Sequence, residues 1–162
     1  SIINGYQITG YKELLNESVF KLGLYTRTIN SLISDEDVRV SKRLFLPKNK
    51  LKGFKAGKVG PKDGSDYVGG NYMASINSTL SLPFIFPTLD KIDFALFFDA
   101  ANLWHVDYSK LVDQSNSIRS AAGLAVDVST PIGPLSFSLS QALSKADGDQ
   151  TESFRFNLGT TF

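Results

Sequence analysis

Leu135-Ser136-Phe137-Ser138-Leu139-Ser140 reads apolar, polar, apolar, polar without a break. Alternate residues of an extended chain point to opposite faces, so this stretch predicts a strand with one greasy face and one hydroxyl face. The same period of two recurs on both sides of it. Just upstream, Thr130-Pro131-Ile132-Gly133-Pro134 has the residues of a tight turn. Before that turn, Ile118, Ala122, Leu124, Val126 and Val128 oppose Arg119, Gly123, Asp127 and Ser129. Downstream, Phe154, Phe156, Leu158, Thr160 and Phe162 oppose Arg155, Asn157, Gly159 and Thr161. Three earlier runs follow the rule: Ile92, Phe94, Leu96 and Phe98 against Asp93, Ala95, Phe97 and Asp99; Tyr72 to Phe84 against Met73 to Ser81; and Phe20, Leu22 and Leu24 against Lys21, Gly23, Tyr25 and Arg27. These runs predict an all-β chain, an antiparallel meander of about six strands.

The connections alternate in length. Pro83 to Asp90 and the turn at Pro131 are short, whereas Thr28 to Gly70, Asn102 to Ser117 and Ser144 to Glu152 are longer and polar. Short turns at one end and long loops at the other are the pattern of outer-membrane barrels, whose strands need only about 9–11 residues to cross. Aromatics near strand ends (Tyr72, Phe84, Trp104, Phe154, Phe162) suit the two membrane interfaces. The alternative is a soluble β-sandwich binding module, with the greasy parity turned to a core and the polar parity to water.

Composition narrows the function. The chain has 162 residues with 17 Lys+Arg and 16 Asp+Glu, a net charge of +1, so it has no basic excess for the phosphates of nucleic acid. Zero Cys removes thiolate zinc sites and a cysteine nucleophile. His105 is the one His, and Asp147-Gly148-Asp149 lacks the spaced ligands of a calcium loop, so it reads as a turn. Asp93, Asp99 and Asp127 share the polar parity, where structural charge in the wall is the simpler reading than a catalytic carboxylate pair. Arg27, Arg119 and Arg155 are read in the same way. No enzyme motif, metal site or cofactor site is expected.

Five stretches carry a resemblance: Leu51-Lys52-Gly53-Phe54 with Val59-Gly60-Pro61; Val68-Gly69-Gly70-Asn71; Phe97-Phe98-Asp99-Ala100-Ala101-Asn102-Leu103-Trp104; Ser129 to Leu135; and Asp147-Gly148-Asp149 through Phe154 to Phe162. In this order and spacing they resemble the C-terminal part of the barrel of the BamA family of outer-membrane assembly factors, within the bacterial surface antigen superfamily. The resemblance runs from about Val19 onward and leaves Ser1 to Ser18 as the end of a strand with its turn. It implies a transmembrane antiparallel β-barrel of about sixteen strands, of which residues 1–162 would be the C-terminal portion. The N-terminal strands and the periplasmic POTRA domains of the family would then lie outside this chain. The implied function is assembly and insertion of β-barrel proteins into the bacterial outer membrane. The implied partners are unfolded outer-membrane proteins, accessory assembly lipoproteins and outer-membrane lipid. A related translocation or secretion transporter of the same superfamily is the alternative.

The resemblance also assigns sites. Leu51, Lys52, Gly53 and Phe54 match the family signature in a long loop, here about residues 28–70, that folds back into the barrel lumen. The family has Arg where this chain has Lys52, which exchanges a planar two-pronged donor for a point charge. The cation is expected to meet Asp99 on the inner wall, and the exchange Lys52→Asp with Asp99→Lys is expected to restore folding lost in either single variant. Thr79 stands where the family has a second acidic residue. Phe154, Phe156, Leu158 and Phe162 match the C-terminal signal strand, which in the family forms half of the seam where the barrel opens.

Overall fold

The structure, a computed structural model, describes residues 1–112 and 116–159. Seven long strands form one antiparallel sheet in strict chain order: β1 (Ile2–Glu13), β2 (Val19–Asn30), β5 (Tyr72–Ser81), β6 (Ile92–Trp104), β7 (Arg119–Thr130), β8 (Gly133–Ser144) and β9 (Phe154–Leu158). A small hairpin, β3 (Lys62–Asp63) with β4 (Asp66–Tyr67), lies within the long loop between β2 and β5. The sequence reading counted about six strands. The additional one is β1, paired residue for residue with β2 from Ile2 opposite Asn30 to Glu13 opposite Val19. Its alternation is weak because both of its parities mix apolar and polar residues, Ile2, Asn4, Tyr6 and Ile8 on one side and Ile3, Gly5, Gln7 and Thr9 on the other.

Register lines up the greasy parity into rows across the sheet. One row runs Phe20, Leu80, Leu96, Leu124, Leu139, Phe154 through six strands. Another runs Phe94, Val126, Phe137, Phe156. These side chains face outward, Leu139 being 57% and Phe154 56% exposed. The polar parity is the covered one: Ser75, Asp99, Arg119, Ser136 and Ser138 are all at most 3% exposed. A water-soluble sheet buries its apolar face against a core, so this sheet is inverted, as expected of a wall with lipid outside.

What covers the polar face is the chain's own long loop, residues 31–71. Its Val38, Leu44, Leu46, Leu51, Phe54 and Val59 form the hydrophobic core together with Ile29, Met73, Ala101, Leu103 and Ala121 of the sheet. Within the sheet itself, a small residue lets neighbouring strands pack closely. Gly123 of β7 has no room for a side chain, since a Cβ there would sit 2.0 Å from the Leu139 carbonyl oxygen and 2.9 Å from the Phe97 ring. The turns joining β1 to β2, β5 to β6 and β7 to β8 lie at the other end of the sheet from the 31–71, 105–118 and 145–153 connections, because the strands run strictly up and down.

Candidate functional site: the long loop and its anchors

Leu51, Lys52, Gly53 and Phe54 form a tight turn seated on the polar face. Leu51 and Phe54, each 2% exposed, enter the core. Gly53 takes φ +91°, a left-handed conformation that costs little only for glycine. A Cβ at Gly53 would also come within 2.8 Å of the Ala121 Cβ, so the turn rests directly on β7. Lys52 points into the wall. Its Nζ lies 3.0 Å from Asp99 Oδ2, its backbone N–H donates to the same oxygen at 3.0 Å, and the ammonium stands 4.5 Å from the centre of the Phe97 ring. The structure thus brings the loop motif and Asp99 together.

The second group on Asp99 is Asn77, directly across the β5–β6 pair. Its amide donates to Asp99 Oδ1 at 2.9 Å and to the Lys50 carbonyl oxygen at 2.8 Å, tying wall carboxylate and loop backbone into one network. Thr79, the position compared with a family acid, instead pairs with Phe97 and lines a cavity of about 200 Å³ beside Lys52, with Asp93 and Asp127. Asp127 Oδ1 is buried there without a hydrogen-bond partner.

Two further anchors were not legible as such. Arg119 of β7, 0% exposed, donates from Nε to Asp149 Oδ2 at 2.8 Å and from Nη1 to Asn102 Oδ1 at 2.7 Å. Asp149 in turn accepts the backbone N–H groups of Gly60 at 3.2 Å and Ala146 at 2.8 Å. The Asp147-Gly148-Asp149 segment is therefore a turn, as read, whose second carboxylate bolts the β8–β9 connection to the long loop. Arg155 of β9 donates from Nε to Glu152 Oε1 at 2.7 Å, from Nη2 to the Phe54 carbonyl oxygen at 2.7 Å and from Nη1 to the Lys48 carbonyl oxygen. The polar parity of Arg119 and Arg155 was the available signal, because a charge in such a wall requires a partner. Its identity depends on the fold, since both partners lie in connections.

At the open end of the loop, Arg43 joins Asp107, the Val38 carbonyl and the Asn71 side chain, and stacks 4.8 Å from the Tyr108 ring centre. Asp107 lies in the connection after β6. Burial pushes its carboxyl up, but donation from the Val38 N–H and from Arg43 and Asn71 outweighs that and holds it at about 2.

The terminal-strand residues lie elsewhere. Phe154, Phe156 and Leu158 are on the outer face of β9, half exposed, with the Phe137 ring centre 5.2 Å from that of Phe156. Phe162 lies outside the described residues. Among the described residues β8 is the one strand that pairs with β9.

Comparison with known proteins places this geometry. The Omp85 superfamily domain matches residues 4–162. The outer membrane protein assembly factor BamA of Neisseria meningitidis serogroup B is 29% identical over a match covering 69% of this chain and 17% of that protein. The crystal structure of BamA from Haemophilus ducreyi lacking POTRA domains 1–3 superposes with a TM-score of 0.80 at 29% identity, over 95% of this chain and 34% of that one. The chain thus spans a minor part of the length of these relatives. With a sheet whose apolar rows face outward and whose polar face is filled by an ion-anchored loop, matched along almost all its length by the family's own domain, the chain belongs to the Omp85 superfamily and forms β-barrel wall of the bacterial outer membrane.

Proposed function

We propose that the protein containing this chain assembles and inserts β-barrel proteins into the outer membrane, and that this chain supplies wall, lumen loop and seam strand. The observation that supports it is the Lys52-Gly53-Phe54 turn seated on Asp99 in a chain similar to two assembly factors. In this reading the polar face is the lumen, and the loop fills it from the long-connection, extracellular side. The ion pairs hold the loop against the wall, so the barrel keeps its shape while the seam beside β9 opens. When the seam opens, the edge of β9 facing away from β8 offers N–H and C=O groups in a row, and an incoming strand can add to it by main-chain pairing. Its outward Phe154, Phe156 and Leu158 meet lipid. No bond is made or broken in this process, and the work is done by hydrogen bonding and burial. Unfolded outer-membrane proteins are the substrates, with assembly lipoproteins and lipid as further partners.

The test is reconstitution of the protein expressed from its complete gene into lipid vesicles, with an unfolded outer-membrane protein supplied from urea. Faster appearance of the substrate's heat-modifiable folded band than with empty vesicles is the expected result. Equal rates, with passage of a soluble passenger across the vesicle membrane instead, would replace assembly by translocation.

A further inference from the structure

The lumen loop is paired main chain to main chain with the segment that leads into the terminal strand. Residues 150–152, just ahead of β9, pair with the loop main chain, while Ser140 of β8 donates its N–H to the Ser153 carbonyl at 2.8 Å and its hydroxyl to the Glu152 carbonyl at 3.2 Å. Phe54 and Thr151 form an antiparallel bridge. Around it Lys55 N–H donates to the Gln150 carbonyl at 2.9 Å, Gln150 N–H to the Lys58 carbonyl at 3.0 Å, and Glu152 N–H to the Gly53 carbonyl at 3.0 Å. Pairing of β8 with β9 accordingly stops at Leu139 opposite Phe154, although β8 continues to Ser144. The tip of the loop occupies the place of a longer last strand.

Arg155 is the first inward-facing residue after that segment, and it spends its whole guanidinium on the junction. One nitrogen meets Glu152, and the other two meet the carbonyls of Lys48 and Phe54, which bracket the Leu51 to Gly53 turn. Those carbonyls lie more than a hundred residues away in sequence, and Arg155 is 9% exposed. A fork of fixed geometry holding two carbonyls of one turn makes that turn and the strand carrying the fork move together.

We infer that Arg155 is a positioning residue that couples the seating of the lumen loop on Asp99 to the order of the terminal strand β9. Release of Lys52 from Asp99 then loosens β9, a strand of five residues, although Asp99 is on β6 and its hydrogen bonds and ion pair go to Lys52 and Asn77. The consequence for insertion rests on the assembly reading above; the coupling itself does not.

The experiment is hydrogen–deuterium exchange on the vesicle-embedded protein expressed from its complete gene, following peptides over 47–58 and 154–158. The variants are Asp99→Asn, Lys52→Met, Arg155→Gln and the double variants, each checked for a heat-modifiable band. Either wall variant is expected to speed exchange in the loop and, by about tenfold or more, in β9, the scale of losing hydrogen bonds to a charged donor. In the Arg155→Gln background the wall variants should loosen the loop but add nothing further in β9. Gln retains a single amide donor group, so this variant keeps some of the hydrogen bonding that Arg155→Ala would remove entirely. Unchanged β9 exchange in Asp99→Asn and Lys52→Met, or additive effects in the double variants, would overturn the coupling. Folding acceleration is measured on the same samples. If wild-type protein gives none, the assembly reading fails while the exchange result still decides the coupling.

Discussion

At the scale of single residues, Lys52 and Asp99 show how a substitution in a motif is accommodated. Asp99 accepts two hydrogen bonds, from the Lys52 amide and the Asn77 side chain, and forms an ion pair with the Lys52 ammonium, so the single charge of Lys52 is matched by this one wall acid. A two-pronged cation would have room to extend, because the cavity beside Lys52 is lined by Thr79, Asp93 and Asp127. Asp99→Asn leaves the Lys52 ammonium buried without a counter-charge and should cost about 3–5 kcal/mol, the range for breaking a buried pair from one side. Lys52→Met should cost less. Exchanging the two charges should not restore stability, since a lysine at position 99 would face the Lys52 amide and the Asn77 amide group with donors against donors. Urea unfolding of the four proteins in vesicles measures this. A full restoration by the exchanged pair would show that charge alone, and not the hydrogen-bond pattern, holds the loop.

At the scale of elements, the loop is a tethered plug. The Lys52, Arg119 and Arg155 anchors join it to β6, β7 and β9, and the Arg43–Asp107 group closes its outer end. These tethers respond differently to pH. Asp107 has its carboxyl held at about 2, below the ordinary 3.8, so its charged form is favoured by folding. The sign follows: its contribution is complete above about pH 4 and is lost as pH falls from there toward 2. Exchange of the 38–44 backbone should therefore stay constant from pH 7 to about pH 4, after correction for intrinsic chemistry, and rise below it. In Asp107→Asn it should be raised throughout and show no such inflection. An inflection near neutral pH would assign the closure to some other group. The elements themselves were legible wherever one face was apolar. The Leu135 to Ser140 alternation became β8 and the Pro131-Ile132 turn its hairpin, while β1 escaped because neither of its faces is consistently greasy.

At the scale of the whole molecule, the sheet is a partition with exposed apolar rows on one side and a polar face covered by the long loop on the other. Leu124 stands at the middle of the six-strand apolar row. An Arg there should cost about 2–4 kcal/mol if it lies at bilayer mid-depth, whereas Thr130→Arg, at the short-turn end of the same strand, should cost about 0–1 kcal/mol. Unfolding titrations in vesicles of both variants check this, and equal effects would mean that the row does not face hydrocarbon. Period-two alternation of side chains is a local property of an extended chain, so the residues alone established every long strand but β1, the two faces, the up-and-down order and the motif at Leu51 to Phe54. Alternation has no sign, however. Whether the greasy parity meets lipid or a protein core depended on what covers the opposite face, and only the packing of residues 31–71 decided it. The same holds for Arg119 with Asp149 and for Arg155 with the carbonyls of Lys48 and Phe54. These pairs join the wall to connections far away in sequence, and no spacing rule links groups that meet only when the loop has folded onto the sheet.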